Sequence, residues 1–311
     1  MNVDFQRLFS DFKGKILLNE VLAPYVAFRI GGPADCLLFP DGEKDLALAA
    51  EIAKREQLPF AVLGAGSNLL VGDKGIRGVV VFLGAGKEDE IQFLMDNGKE
   101  VTLNVPAHCT KAALVDFALE NKLSGVEFSA GIPGTLGGAV YMNAGTKWGS
   151  YSEVIESVRF FRVGKGFYEK PVEALGFKYR GHGEELFAGG AIVVSACLRL
   201  RHVSSRKEIQ EKMDEILKYR GGKQPLELPN CGSVFKNPEK SRRGAGRLIE
   251  ACNLKGTCVG GAQVSLKHAN FILNLGNATS KDVETLIKKI QKKVFSEFKV
   301  ELETEVIKVG E

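Results

Sequence analysis

Apolar residues recur at helical spacing in some stretches of the chain and form alternating or short continuous runs in others. Helical spacing predicts helices over 45–55, 111–121, 208–219, 245–252 and 281–298, with Thr110 and Ser280 as candidate N-caps. Runs and alternation predict strands over 36–39, 60–63, 78–83, 100–105, 154–163, 191–201, 271–275 and 300–309. The mixture of elements indicates an α+β fold without internal repeats.

Two breaks in this pattern divide the chain into three lobes. A first α/β region closes near residue 84. The clearest linker is 220–225, where two glycines and a proline follow a charged helix, with Pro229 beyond.

Charge and glycine content narrow the ligand class. Lys and Arg number 42 against 38 Asp and Glu, giving a net charge of +4 over 311 residues. So small an excess argues against a protein that coats nucleic acid, but it suits a groove for one anionic small molecule. Glycine is abundant: it makes up 36 of the 311 residues, or nearly 12%, against about 7% in average usage. The glycines are clustered, which indicates tight backbone turns around a ligand.

The six cysteines are scattered without a C-x-x-C pair, and the four histidines are also dispersed. Zinc, iron–sulfur and dithiol sites all need closer ligand spacing, so no metal is expected. Free thiols, no secretory signal at the N-terminus and no long apolar window lead us to expect a cytoplasmic protein without a membrane span.

The first glycine-rich loop, 64–68, directly follows a predicted strand. Glycine there lets backbone N–H groups face a phosphate without a Cβ in the way. Leu69 replaces the third glycine of a dinucleotide fingerprint, and no Gly-Lys-Ser/Thr closes a Walker loop. A phosphate cradle and an ordinary strand-to-loop turn explain this string equally well.

The second stretch, 131–145, holds five glycines in fifteen residues and carries no charge. A solvated linker would contain Ser, Glu and Lys. An uncharged, glycine-rich backbone favours a cofactor-binding surface over tight structural packing alone.

Four further patterns are ambiguous when each is taken alone. Tyr179-Arg180 is typical of a surface strand, 232–238 of a turn, and 301–305 of a solvated strand face. His268 is more often a satisfied core histidine than a ligand.

Together and in this order, the strings resemble the UDP-N-acetylenolpyruvoylglucosamine reductase family (UDP-N-acetylmuramate dehydrogenases), in its shorter subgroup without a substrate-covering tyrosine loop. The matching strings are 28–35, 63–71, 131–145, 179–180, 232–238, 268–271 and 302–306. The resemblance therefore covers nearly the whole chain.

The resemblance implies vanillyl-alcohol-oxidase-type FAD-binding domains plus a smaller α/β substrate-binding domain. The FAD-binding lobes would be 1–84 and 85–218 with 299–311, and the substrate-binding domain 219–298. It implies cofactor contacts from Gly64, Ala65, Gly66, Ser67, Asn68, Gly131, Ile132, Pro133, Gly134, Thr135, Gly137, Gly138, Ala139 and Arg220.

The implied reaction uses NADPH to reduce FAD, after which UDP-N-acetylglucosamine enolpyruvate receives hydride at C3 and a proton at C2. This step belongs to peptidoglycan precursor synthesis, and hence to cell-wall biogenesis, cell shape and division; we expect a monomer. By family position, Arg180, Ser233 and Glu305 are catalytic, and Tyr179, Lys223 and Asn237 bind substrate.

In these roles, Arg180 would bind the carboxylate where negative charge develops, and Ser233 would donate the proton, assisted by Lys236 or another nearby charge. Glu305 would partner the enolate when protonated, which requires a pKa raised by burial. Glu303 shares its face, so only the family pattern selects Glu305.

Departures from the pattern concern the surroundings of Arg180. Gly181-His182-Gly183 stands where many relatives have a serine two residues after the arginine, Lys147-Trp148 shifts the usual aromatic residue, and Val26 replaces a common threonine. Two rivals are an oxidase of the same fold and a non-catalytic flavin- or nucleotide-binding protein. The first often tethers flavin through a histidine near the pyrophosphate loop, which this chain lacks there, and the second would tolerate loss of Ser233.

Overall fold

The computed structural model describes residues 3–84, 91–183, 186–187, 189–239 and 241–311. The predicted lobe boundary after residue 84 meets residues 85–90, which lie outside this described part. The helices are α1 Phe5–Leu8, α2 Glu43–Arg55, α3 Lys111–Glu120, α4 Leu136–Met142, α5 Arg206–Lys223, α6 Ala245–Ala251 and α7 Ser280–Phe298.

The strands are mostly short, and their bounds follow in chain order. They are β1 Lys15–Val21, β2 Pro33–Phe39, β3 Phe60–Leu63, β4 Leu69–Val71, β5 Ile76–Phe82, β6 Gln92–Asp96, β7 Glu100–Pro106, β8 Leu123–Ser124, β9 Gly145–Thr146, β10 Gly149–Ser150, β11 Ile155–Arg162, β12 Gly166–Pro171, β13 Ile192–His202, β14 Cys258–Val259, β15 Ala262–Val264, β16 Ile272–Asn274 and β17 Ile307–Val309.

Two larger sheets carry most of the strand pairing. One has the order β1-β2-β5-β3, in which β3 and β5 run parallel. The other has the order β12-β11-β13-β7-β6 and is antiparallel throughout, with β8 also paired to β13. Smaller sheets are β14-β15-β16, the hairpin β9-β10 and the parallel pair β17-β4.

The chain forms two compact units. The first contains Met1–Leu18, Cys36–Ala65 and Gly78–Tyr219, and the second contains Asn19–Asp35, Gly66–Arg77 and Arg220–Glu311. The tail 299–311 lies in the second unit. Its strand β17 pairs with β4, which belongs to the same unit.

The first unit has two apolar cores. In one, α2 packs the side chains Leu46, Ala49, Ile52 and Ala53 against strand residues such as Val79. The spacing of these residues by three and four positions places them on one face of the helix, which is why the sequence predicted it. The other core lies around α3, β7, β11 and β13, with Leu103, Val158 and Leu198 fully buried.

The second unit has its own core, to which α7 contributes one apolar face. Phe28 and Ile30 join that core, so the first matching string of the family pattern is partly a packing motif. Asn274, which is buried, fixes the backbone there by donating from Nδ2 to the carbonyl oxygen of Phe28 at 3.0 Å.

Several predicted boundaries change in the structure. Helix α5 continues through the predicted linker to Lys223, because the N–H of Gln224 still reaches the carbonyl of Arg220 at 2.8 Å, and Pro225 then ends the pattern. Thr279, not Ser280, is the N-cap of α7, while Thr110 caps α3 as predicted. The predicted tail strand is limited to β17.

Asp73 adds a second cap to α7 from a distant loop. Its two carboxylate oxygens accept hydrogen bonds from the backbone N–H groups of Ser280 at 2.7 Å and Lys281 at 3.1 Å. We expect Asp73→Ala to lower the free energy of unfolding by about 1 kcal/mol, because two N–H groups at a helix start lose their acceptor. Urea unfolding would measure the loss.

Asp73→Asn keeps one acceptor oxygen and should lose less stability than Asp73→Ala. Asp11→Ala, at an exposed position, is the matched control and should leave unfolding unchanged. An Asp73→Ala protein as stable as this control would remove the proposed cap.

Candidate functional site

The loop 64–68 joins the end of β3 to the start of β4. A Cβ added at Gly64 would meet Oγ1 of Thr135 at 2.6 Å, so a larger residue there would displace the Thr135 side chain. Thr135 belongs to the second glycine-rich stretch. The structure thus brings together, within the first unit, two segments that the sequence singled out separately.

The second half of this loop, from Gly66 onward, belongs to the second unit and is fixed there. Gly66 has φ +59° and lies against Val26, where a Cβ would approach at 2.7 Å. The Asn68 side chain donates from Nδ2 to the backbone carbonyl of Glu305 at 2.8 Å, and the backbone carbonyl of Asn68 accepts from the N–H of Ile307 at 3.0 Å. Asn68 therefore has a structural contact with a predicted catalytic segment that the sequence did not indicate.

The segment Gly131–Ala139 is firmly held on its inner side. The N–H of Leu136 donates to the carbonyl of Cys109 at 2.9 Å, and the N–H of Gly137 donates to that of Ala107 at 2.8 Å. A Cβ on Gly137 would stand only 3.1 Å from Ala107. Helix α4 begins inside this segment, which the sequence did not predict.

The outer side of the same segment is exposed at Gly131, Pro133 and Gly138. Among the described residues, the atom that a Cβ on Gly138 would meet outside the helix backbone is Oγ1 of Thr135, at 3.8 Å. This surface has no charge and few protruding side chains. It fits the flat, largely apolar ring system of a flavin, whose approach bulkier residues would obstruct.

Arg180 lies in a tight turn closed by reciprocal hydrogen bonds between the backbones of Lys178 and Gly181, at 3.0 and 3.1 Å. The residue has φ +53°, and its guanidinium donates from Nη2 to the carbonyl of Gly145 at 2.7 Å. Arg180 is half-buried, and its guanidinium carbon lies 5.2 Å from the ring centre of exposed Tyr179.

The side chain of Asn143 also fixes this turn. It is buried, donates from Nδ2 to the carbonyl of Lys178 at 3.1 Å, and accepts at Oδ1 from the N–H of Ser152 at 3.0 Å. Nothing in the sequence assigns a role to Asn143, although it lies in the glycine-rich stretch 131–145. Only the fold shows that this amide is buried, and a buried amide needs hydrogen-bond partners.

The departure at Gly181-His182-Gly183 also has a structural explanation. The ring of His182 packs edge-on against Tyr141 at 5.0 Å and Phe187 at 4.5 Å between ring centres. Its Nδ1 hydrogen bonds to the carbonyl of Gly183 at 2.8 Å, so Nδ1 carries the proton. An aromatic cluster therefore stands next to Arg180.

The shifted aromatic, Trp148, forms a cluster of its own. The ammonium of Lys147 lies 4.3 Å from the ring centre of Trp148 and 4.0 Å from that of Tyr219. The two rings meet edge to face at 5.1 Å. This cation–π contact ties the loop that follows α4 to helix α5.

Ser233 and Glu305 are brought together within the second unit. Ser233 is half-buried and precedes Val234, whose carbonyl accepts from the N–H of Glu305 at 2.7 Å. The two residues are far apart in sequence, yet the backbone hydrogen bond between Val234 and Glu305 brings their segments together.

The structure distinguishes Glu303 from Glu305. The Glu303 side chain is 72% exposed, and its Oε1 lies 2.5 Å from Nζ of Lys236. Glu305 is half-buried instead. Burial raises the pKa of the neighbouring Cys231 thiol to about 12, so this thiol stays protonated near neutral pH.

The predicted ligand-binding positions of the second unit differ in surroundings; Lys223 and Asn237 were assigned to the substrate and Arg220 to the cofactor. Lys223 is exposed at the end of α5, and Arg220 is half-buried, with a pKa lowered by desolvation. Asn237 is exposed, but its Oδ1 accepts from the N–H of Ala245 at 3.0 Å at the start of α6. Its side chain therefore also supports a helix start.

His268 is a satisfied histidine, as predicted. Its Nδ1 accepts from the N–H of Asn270 at 3.2 Å, and its ring packs against Phe271 at 4.9 Å. Burial lowers its pKa, which keeps the ring neutral. Across the described ranges, no group of three or more His, Cys, Asp or Glu side chains could hold a metal ion, and no helix has the length and apolar character to cross a bilayer.

Two family models match the chain. One, described as UDP-N-acetylenolpyruvoylglucosamine reductase, C-terminal domain, covers residues 224–309, and the other, described as FAD binding domain, covers residues 34–167. These matches confirm the predicted fold class, an α+β chain with vanillyl-alcohol-oxidase-type FAD-binding domains and a smaller C-terminal domain.

Individual relatives agree with the family models over almost the full chain. The UDP-N-acetylenolpyruvoylglucosamine reductase of Desulforamulus reducens is 41% identical over 304 residues, 98% of this chain and 97% of that protein. The Clostridium perfringens protein of the same name is 37% identical over 310 residues, 99% and 98% of the two chains. The crystal structure of the Thermus caldophilus reductase matches with a TM-score of 0.78 at 35% identity, over 96% of this chain and 100% of that one.

Proposed function

The chain belongs to the UDP-N-acetylenolpyruvoylglucosamine reductase family, and on that basis we propose that it reduces UDP-N-acetylglucosamine enolpyruvate to UDP-N-acetylmuramate with NADPH as electron donor. Family membership makes it an FAD-dependent oxidoreductase of peptidoglycan precursor synthesis. The observation that supports the finer proposal is the backbone hydrogen bond from Glu305 to Val234, because it joins the segment of the proposed proton donor, Ser233, to that of Glu305.

The residues for FAD are those of the two glycine-rich segments. We assign the pyrophosphate to 64–68, the flavin ring to the exposed face of 131–139, and a further contact to Arg220. When bound, FAD supplies the redox chemistry, hydride transfer from NADPH to the alkene. The tight fit of Gly64 against Thr135 and the open face at Gly138 support this assignment.

Arg180 binds the substrate carboxylate in this proposal. Addition of hydride to C3 builds negative charge into the conjugated carboxylate, and a fixed guanidinium stabilises that charge with two parallel hydrogen bonds. The bond from its Nη2 to Gly145 holds the group in one orientation before substrate arrives. Tyr179 lies beside it as a substrate contact.

Ser233 donates the proton to C2. A serine hydroxyl is a weak acid, so its placement has to be accurate. The ammonium of Lys236, which the sequence suggested as an aid, pairs with Glu303. Glu305 faces the developing enolate as a hydrogen-bond partner, and Lys223 and Asn237 bind the diphosphate of the substrate.

The proposed compartment, oligomeric state and binding partners follow from the same chemistry. We propose that the enzyme works in the cytoplasm as a monomer, on nucleotide-linked sugars and NADPH, without nucleic acid or membrane partners. All of these ligands are anionic, in keeping with the net charge of +4. The reductase C-terminal domain at 224–309 favours this reading over an oxidase of the same fold.

A single turnover in D₂O tests the proposal at the level of product. The enzyme with FAD and NADPH should convert the enolpyruvyl UDP-sugar into the lactyl ether with deuterium at C2, because the C2 proton comes from an exchangeable group on the protein. Mass spectrometry and NMR of the product identify the site of the label. Recovery of unreduced substrate, or a product without deuterium at C2, would contradict the proposed reaction.

A further inference from the structure

Asn270 is a buried residue of the second unit that the proposed chemistry does not use. It is 5% exposed and lies in the string His268-Ala269-Asn270-Phe271, which the family pattern singled out. Its side-chain Oδ1 accepts from the N–H of Phe235 at 3.0 Å, and its Nδ2 donates to the carbonyl of the same residue at 2.8 Å. Its own carbonyl accepts from the N–H of Val234 at 2.9 Å.

These three bonds imitate a neighbouring β-strand. A side-chain amide that binds both polar groups of one residue fixes the backbone there, and a shift by one position would break all three bonds. Because the amide is buried, each lost bond would leave a desolvated polar group without a partner.

The opposite edge of 233–236 is fixed by the tail. Besides the bond from Glu305 to Val234, the N–H of Lys236 donates to the carbonyl of Glu303 at 2.9 Å, and Phe235 bridges to Thr304. Segment 233–236 thus lies between Asn270 on one side and 303–305 on the other.

We propose that Asn270 is a positioning residue for Ser233: its amide sets the backbone of 234–235, and through it the place of the Ser233 hydroxyl relative to Glu305. The proposal rests on the proposed function, because it needs Ser233 to act as proton donor. Asn270 does not touch the reacting atoms and acts through the segment it binds. A displacement of the donor by about 1 Å is enough to cost about 100-fold in rate.

Asn274 supplies a matched control in the same unit. It is 3% exposed and also uses its amide on backbone groups, donating to Phe28 at 3.0 Å and accepting from Gly276 at 2.8 Å and Ala278 at 3.1 Å. Asn270→Ala and Asn274→Ala therefore remove the same chemical group from similarly buried sites. Urea unfolding of both variants establishes that each is folded under the assay conditions.

The experiment compares the two half-reactions of the FAD-loaded enzyme by stopped-flow absorbance. Asn270→Ala should slow flavin reoxidation by the enolpyruvyl UDP-sugar by about 10- to 100-fold and leave flavin reduction by NADPH unchanged, whereas Asn274→Ala should change neither. The solvent deuterium isotope effect on reoxidation should rise in Asn270→Ala, because proton transfer becomes more rate-limiting. Amide hydrogen exchange at Val234 and Phe235 should also become faster.

A double-mutant cycle separates positioning from general destabilisation. In the Ser233→Ala background, Asn270→Ala should cost little further rate, since the donor that it positions is already absent. The proposal would be overturned if Asn270→Ala slowed reoxidation by the same factor in both backgrounds, or if both half-reactions slowed equally. Asn270→Asp, which keeps the shape of the side chain, takes the place of Asn270→Ala in the cycle if the alanine variant does not fold.

The outcomes also separate this proposal from the one on which it rests. If Ser233→Ala leaves reoxidation unimpaired, the assigned role of Ser233 is wrong, and Asn270 has no donor to position. If Ser233→Ala is impaired but both Asn270 variants reoxidise at the normal rate, the proposed function stands and the positioning role of Asn270 is wrong.

Discussion

Replacing Ser233 by alanine should reduce the rate of flavin reoxidation by the enolpyruvyl UDP-sugar by about 100- to 10,000-fold, the usual contribution of a positioned general acid. The hydroxyl is the group that would deliver the C2 proton, and alanine removes it without adding bulk. Reduction of the flavin by NADPH needs no such proton donor and should proceed at the normal rate. Stopped-flow absorbance of the flavin band measures each half-reaction separately.

Ser296→Ala is a suitable control for this substitution, because Ser296 is exposed on α7 in the same unit. It should leave both half-reactions unchanged. An equal loss of both half-reactions in Ser233→Ala would assign to Ser233 a general structural role and contradict its function as proton donor.

Replacing Arg180 by lysine should lower the rate of substrate reduction by about 100- to 1000-fold although the positive charge is retained. Lysine is a point charge with a flexible stem, so it cannot offer two parallel hydrogen bonds to a carboxylate. It also loses the planar geometry that reaches the carbonyl of Gly145. Steady-state kinetics with varied enolpyruvyl UDP-sugar would show the loss in kcat.

Arg199→Lys is the matched control, since Arg199 pairs with Glu156 on the exposed side of the first unit. This change should leave kcat within the error of the measurement. An Arg180→Lys enzyme with unimpaired turnover would remove Arg180 from the reacting site.

The sequence predicted best those elements whose signal is local. The helix at 45–55 was found because its apolar residues share one face, and α3 because Thr110 can accept the N–H of Ala113, as it does at 3.1 Å. Helix α4 was missed because Gly137 and Gly138 are poor helix formers. It depends instead on hydrogen bonds to 107–109, which only the fold brings near.

The candidate site was predictable in composition but not in arrangement. Ser233 and Glu305 were selected by resemblance alone, since nothing in local spacing relates two segments that the hydrogen bond from Glu305 to Val234 joins in the folded chain. Asn143 and Asn270 were not assigned roles for the same reason. Each is a buried amide whose partners are backbone groups far away in sequence, and such partners become identifiable only in three dimensions.

The visible spectrum of the purified protein under anaerobic conditions, followed through two additions, tests the central claim most directly. NADPH should bleach the flavin band, and the enolpyruvyl UDP-sugar should then restore it as the substrate takes up the electrons. A protein whose flavin bleaches but is not restored by this substrate would contradict the proposed reaction. A colourless protein that binds no added FAD would contradict the assignment of the two glycine-rich segments to the cofactor.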